Sequence, residues 1–191
     1  ALMLGERLKK RGCKSLPFDI IVASCRNSSM PHAKASEKKI DRGDLVVIDW
    51  GGEAGGYCSD MTRTFLINGE DLAKKKEIYM TVLNANRNAI SSVSAGIDSR
   101  KIDNSARDVI KKAGYGEFFG HGTGHGVGLQ VHESPSITWK KKEVIRDNMV
   151  FTIEPGIYIP GLGGVRIEDM VEVGSKRTEV LTRLPKNLEI I

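Results

Sequence analysis

Apolar and polar positions fall in blocks along this chain. Residues 18–25 (FDIIVASC) form one compact apolar run, and 43–50 (GDLVVIDW) form a second that is nearly all apolar until Asp49. Short runs rich in Ile and Val, bounded by Gly, Asn and Ser, predict strands. A return strand is expected over 57–67 (YCSDMTRTFLI), joined to the second run by a turn at GGEAGG. The period then changes. Leu72, Ile78, Val82, Ala85 and Ala89 recur near helical spacing between 71 and 94, with Lys and Asn between them. A second helix is expected within 96–116, with Asp98 or Ser99 as its N-cap and Gly114 as its stop. Residues 1–12 read as the end of a helix stopped by Gly12. RNSSMPHAK reads as a loop, and FFGHGTGHGVGLQVHESPSI as glycine-rich and irregular. FTIEPGIYIPGLGGVRIED, at 151–169, predicts a strand, a turn and a second strand, and TEVLTRLP a last strand.

The order is therefore helix then strands before residue 68, and helix, helix, strands after it. The two halves are expected to share one plan, the first half lacking its opening helix. No sequence repeat, low-complexity segment or linker accompanies this. The 191 residues, 40% of them hydrophobic, suit one α+β domain with a sizeable core.

Charge and cysteine content narrow the class. The net charge of +5 sits in short runs, Lys9–Lys10–Arg11, Lys74–Lys75–Lys76 and Lys140–Lys141–Lys142, each expected on solvated surface. A nucleic-acid footprint would interleave such charge with aromatics, which make up only 6% of residues. No apolar run approaches the ~20 residues that span a bilayer, and ALMLGERLKKRG is too quickly charged for a signal peptide. Three cysteines without a CxxC pair disfavour a disulfide framework or a structural zinc site. They imply buried free thiols and a cytoplasmic setting.

The strand pairs carry acids where a core is expected. Opposed residues in an antiparallel hairpin have position numbers with a constant sum. By that rule Glu154 faces Glu168 across PGLGG, and Asp49 faces Asp60 across GGEAGG, give or take a bulge. Opposed residues bring their Cβ atoms to ~4.5–5.5 Å, where like charges destabilise. Buried carboxylates without partners shift their pKa or take a cation. Either these acids sit at solvated strand ends or pair with Arg63 and Arg166, or they hold a metal. Oxygen donors suit a hard or borderline divalent ion such as Mn²⁺. His121, His125 and His132 lie within twelve residues of one another among glycines that permit close backbone approach. HExxH, GxSxG and P-loop patterns do not occur here.

At these residues the sequence resembles the pita-bread metallopeptidases, in the Xaa-Pro aminopeptidase and Xaa-Pro dipeptidase (prolidase) branch. PHAKAS, GDLVVIDWGGEAGGYCSDMTRTF, GHGTGHGVGLQVHESP, MVFTIEPGIYIPG and GVRIEDMV carry the resemblance, spread over residues 31–171. It implies a pita-bread (creatinase/aminopeptidase-like) fold with pseudo-twofold halves and a curved antiparallel sheet flanked by helices. Residues 1–191 would be a single catalytic domain, lacking the usual N-terminal domain and the first catalytic-domain helix.

The resemblance also implies a dinuclear site of Asp49, Asp60, His125, Glu154 and Glu168. Asp60 and Glu168 would bridge both ions, Asp49 would complete one, and His125 and Glu154 the other. The ions would be Mn²⁺, with Co²⁺ or Zn²⁺ as alternatives. A bridging water acidified to hydroxide would attack the carbonyl before proline. Glu154 would double as proton shuttle and His132 would stabilise the tetrahedral intermediate. His32 would contact substrate near the scissile bond. His121 and Arg166 match residues associated with the Xaa-Pro branch, Arg166 orienting carboxylates or substrate unless it merely pairs with Asp169 or Glu154. Arg63 and Asp169 are expected to be structural. The expected partner is a peptide or dipeptide with proline second, with no nucleic acid, no membrane and a homodimer allowed for.

Three alternatives remain open at this point. One is a methionine aminopeptidase-like activity, which the GVRIED form and His121 disfavour. The others are an inactive pita-bread domain that binds partners and a structural Ca²⁺ site. Cys25 and Asn148 stand where the family commonly has Gly. If Cys25 needs positive φ, its loop is strained.

Overall fold

The computed structural model describes residues 1–34, 36–175 and 177–191; Ala35, within PHAKAS, lies outside the described residues. In chain order the elements are α1 (Leu2–Lys10), β1 (Ile21–Ser24), β2 (Leu45–Trp50), β3 (Glu53–Ala54), β4 (Tyr57–Cys58), β5 (Met61–Leu66), α2 (Ala73–Ser92) and α3 (Ser99–Lys112). They continue with β6 (Gly124–Gly126), β7 (Glu133–Ile137), β8 (Val150–Ile153), β9 (Gly156–Ile159), β10 (Gly163–Arg166), β11 (Asp169–Val173) and β12 (Thr178–Val180). The helix and strand order expected on either side of residue 68 is present. The ladders between these strands are antiparallel and group as β1-β2-β5, β12-β11-β8-β6-β7, β10-β9 and β3-β4.

Two expectations need correction. The glycine-rich run is not irregular throughout, since it holds β6 and β7. Its glycines serve strand packing: a Cβ on Gly124 would lie 1.8 Å from the Thr152 carbonyl of β8. The three cysteines are free but half-buried rather than buried.

Helix α3 caps as expected, the Asp98 side chain accepting from the Arg100 amide. Its stripe of Ile102, Ala106 and Ile110 is buried, as are Ile78, Val82, Ala85 and Ala89 of α2. Both stripes join one core with Phe151, Ile153, Ile157, Val165, Ile167 and Val171. Burying one Val, Ile or Leu side chain contributes roughly 1.5–3 kcal/mol, so the helices hold β8–β11 from behind. The lysine runs lie on the surface, apart from half-buried Lys75, which donates to the Gly43 carbonyl at 2.7 Å.

Cys25 has φ of 51° and Asn148 φ of 63°. Asn tolerates this left-handed region, whereas Cys adopts it at a cost of ~1–2 kcal/mol. Glycine would relieve that strain while adding some unfolded-state entropy. Cys25→Gly should therefore raise the melting temperature by about 2–4 °C, measured by circular dichroism. A lower value would mean that the Cys25 side chain contributes more than its backbone strain removes.

Candidate metal centre

The site forms where the two hairpins meet. β2 pairs with β5, and Thr62 and Thr64 project from one face of β5 toward β10. Thr64 Oγ1 donates to the Arg166 carbonyl at 2.8 Å and accepts from the Arg166 amide at 3.1 Å. Thr62 Oγ1 accepts from Arg166 Nε at 3.0 Å and donates to Glu168 Oε2 at 2.7 Å. Two threonine hydroxyls thus join the three-stranded sheet to the second hairpin and bring its charged end against Asp49.

The register of the acids is partly as expected. In β8–β11 Ile153 faces Asp169, and in β9–β10 Ile159 faces Gly163. Both pairs have the same position sum, and Glu154 with Glu168 share it, in the short break between the two ladders. Gly161 and Gly163 take positive φ in the turn that fixes this midpoint. Asp49, however, faces Thr62 and not Asp60. Asp60 lies two residues further along, just before β5. The cause is the tip, where β3 and β4 form their own small ladder, so GGEAGG is not a simple turn. An offset of two preserves the face, and both aspartates still line one cleft.

That cleft has a volume of about 1140 Å³. His32, Asp49, Asp60, His121, His125, His132, Glu154, Arg166 and Glu168 all line it. Oxygen atoms of Asp60 and Glu168 and a ring nitrogen of His125 lie within 4.8 Å of one another. His125 Nδ1 faces the Gly126 carbonyl at 3.0 Å, to which it donates as the neutral ring. Its Nε2 then presents a lone pair to Asp60 Oδ2 and to Glu154 Oε1, each at 3.6 Å. Burial pushes the His125 pKa down to about 4, so the ring is neutral at pH 7. Whenever Asp60 and Glu154 are ionised, acceptors face acceptors across these gaps. Asp49 Oδ1 and Asp60 Oδ1 are also buried without a hydrogen-bond partner among the described residues. Such orphaned acceptors are rare in native structures, and the donor set of four carboxylates and one imidazole fits divalent cations.

The electrostatics agree. Burial, then the Asp49 charge, pushes Asp60 up to about 9. Burial pushes Glu154 up to about 7 against the pull of Arg166. Glu168 is raised well above the usual carboxylate range by burial and by Asp60. Four carboxylates against one guanidinium leave an excess of three negative charges when all are ionised.

Arg166 pairs with neither Asp169 nor Glu154. Its Nη2 donates to Asp49 Oδ2 at 2.7 Å, which leaves Asp49 Oδ1 free toward the cleft. Its Nη1 donates to Tyr158 Oη at 2.9 Å and to the Pro31 carbonyl at 3.2 Å, anchoring the loop that carries exposed His32. Tyr158 in turn donates to His121 Nε2 at 2.9 Å, because His121 Nδ1 donates to the Gly122 carbonyl at 2.7 Å. Burial keeps the His121 ring neutral, with its pKa down to about 4, and lifts the Tyr158 hydroxyl to about 12. His132 is exposed, its ring centroid 4.3 Å from that of His125. Arg63 and Asp169 form a separate buried pair at 2.7 Å.

Sequence reasoning passed over Tyr158 and Thr62. A buried Tyr needs a partner for its hydroxyl, and Tyr158 sits diagonally across the hairpin from Arg166, which was the available signal.

The sequence pattern of metallopeptidase family M24 matches residues 1–175. The chain is 47% identical over 181 residues to an Xaa-Pro dipeptidase of Pyrococcus horikoshii, covering 95% of this chain and 51% of that protein. Among solved structures it superposes on an Xaa-Pro dipeptidase from Bacillus anthracis with a TM-score of 0.95 and 48% identity, covering 98% of this chain and 53% of that one. An X-Pro aminopeptidase from Thermotoga maritima gives a TM-score of 0.95 and 43% identity, over 100% of this chain and 54% of that one. The fold is therefore the pita-bread fold, and the chain spans about half the length of these relatives. Among the described residues no helix is long and apolar enough to cross a membrane.

Proposed function

The chain belongs to metallopeptidase family M24, and from that premise we propose that it is the catalytic domain of a dinuclear exopeptidase that cleaves before proline in Xaa-Pro peptides or dipeptides. The observation that carries the reading is the set of unpartnered acceptors at the meeting of the two hairpins, Asp49 Oδ1, Asp60 Oδ1 and His125 Nε2. Asp49, Asp60, His125, Glu154 and Glu168 hold two divalent ions. One ion cannot offset an excess of three negative charges, and two leave a single positive charge for an anionic ligand. When bound, the ions acidify a water and polarise the scissile carbonyl.

The side chains have distinct parts in this reading. Glu154 borders the cleft beside His125, where it can take a proton and pass it to the leaving nitrogen. His132 stands beside His125, where it donates to the developing oxyanion. His32 and His121 face the substrate. Arg166 aims the Asp49 carboxylate, and Tyr158 and His121 hold Arg166 in turn. Mn²⁺ is the ion proposed, since four of the five donors are carboxylates. The names of the relatives, Xaa-Pro dipeptidase and X-Pro aminopeptidase, supply the substrate class.

Mn²⁺-loaded protein should hydrolyse dipeptides and tripeptides with proline second, and a chelator should stop it. A panel that includes Met-Ala peptides decides the branch. Removal of Met with Xaa-Pro peptides left intact would overturn the proposal.

A further inference from the structure

The two glutamates sit where the hairpin ladder breaks. β8–β11 ends at Ile153 and Asp169, and β9–β10 resumes at Gly156 and Arg166. In the gap the glutamate amides turn away from each other. Glu154 N donates to the Thr123 carbonyl at 2.7 Å, and Glu168 N to the Thr62 carbonyl at 3.1 Å. The strands are bridged from behind at this step by one side chain of α2. Asn86 Nδ2 donates to the Ile153 carbonyl at 3.1 Å and to the Ile167 carbonyl at 3.2 Å, the residues just before Glu154 and Glu168.

Asn86 is fully buried, with 0% exposure, in a helix face that is otherwise apolar. The pattern of Lys and Asn along 71–94 suggests a polar face, which does not hold for Asn86. Buried Asn is uncommon and costly unless its amide is satisfied. Here both donors are used, and Oδ1 accepts from Lys186 Nζ at 2.7 Å. Lys186 also pairs with Asp169, the residue after Glu168. Docking of α2 does not call for this arrangement, since Ile78, Val82, Ala85 and Ala89 already supply its apolar contact.

We infer that Asn86 is a positioning residue that clamps the break in the ladder and so sets how Glu154 and Glu168 together present their carboxylates to a divalent cation. The inference rests on the metal-site reading above. Its test is calorimetric titration of Mn²⁺ into metal-free protein, wild type against Asn86→Leu, with melting curves on both. Leu has the branched shape of Asn with greater volume and adds to the apolar face that docks α2, but leaves both carbonyls unclamped. The expected result is Mn²⁺ binding weakened roughly 10–100-fold, the range for supporting partners of metal ligands, with stoichiometry per folded chain unchanged.

A merely structural role would lower the melting temperature and the folded fraction while leaving the dissociation constant at its wild-type value, and that outcome overturns the inference. If Asn86→Leu does not fold, Asn86→Asp serves in its place. It has the same shape and keeps the Lys186 contact, but has no donors for the carbonyls, and the same two outcomes apply. Wild-type protein that binds no Mn²⁺ would remove the metal-site reading and this inference together. Wild-type binding with an unaltered variant would remove this inference alone.

Discussion

Glu168→Gln will fold and will lose Xaa-Pro hydrolysis by roughly 10³-fold or more. Glu168 is buried, one oxygen accepting from Thr62 and the carboxyl reaching the cluster with Asp60 and His125. Glutamine preserves the shape but replaces one oxygen by an amide that cannot ligate through nitrogen. Metal ions supply several kcal/mol of transition-state stabilisation, and each 1.36 kcal/mol is tenfold in rate, so three decades is a conservative loss. The measurement is kcat/KM on an Xaa-Pro dipeptide at saturating Mn²⁺. Retention of activity within tenfold of wild type would remove Glu168 from the ligand set.

Metal-free protein will become less stable as pH rises from about 6.5 to about 9, and Mn²⁺ will abolish that trend. Asp60 titrates near 9 in the fold against an ordinary 3.8, and Glu154 near 7 against 4.5, while Glu168 is also raised. Over this window the unfolded chain has these groups ionised while the fold keeps protons on them. Stability therefore falls as pH rises through the folded values. The two buried histidines act in the other sense. Their depressed values, about 4 against 6.5, add stability as pH rises through 6.5 and little beyond about 7.5. Above pH 6.5 the carboxyl groups outweigh the histidines and set the sign of the slope, at about 1–3 kcal/mol per pH unit. Mn²⁺ at a thousandfold excess over its dissociation constant adds about 4 kcal/mol, or roughly 8–16 °C. Melting curves at pH 6.5, 7.5 and 8.5, with chelator and with Mn²⁺, read both effects. A flat or rising profile without metal would contradict the charge crowding described here.

Much of this site is legible in the sequence because hairpin arithmetic is local. Glycines at 161 and 163 fix the turn, so Glu154 and Glu168 can be paired from their numbers alone. The same arithmetic misses by two residues at Asp49 and Asp60, because β3 and β4 make a ladder of their own at the tip. β6 and β7 escape notice because Gly-His-Gly and Glu-Ser-Pro-Ser carry no β-branched pattern; their pairing depends on glycines that admit neighbouring strands closely. The partners of Arg166 and Asn86 are beyond local reasoning. Asp49 is 117 residues from Arg166, and the carbonyls that Asn86 clamps are 67 and 81 residues away. A polar residue on a helix reads as solvated until the fold shows what lies behind it.

That the two hairpins together hold a pair of divalent ions is the proposal on which every residue role depends. Its most direct test is the metal content of the purified chain after loading with Mn²⁺ and removal of the excess, measured by native mass spectrometry. Two Mn²⁺ ions per chain, both lost after chelation and regained on reloading, is the predicted result. A folded chain that retains none would contradict it.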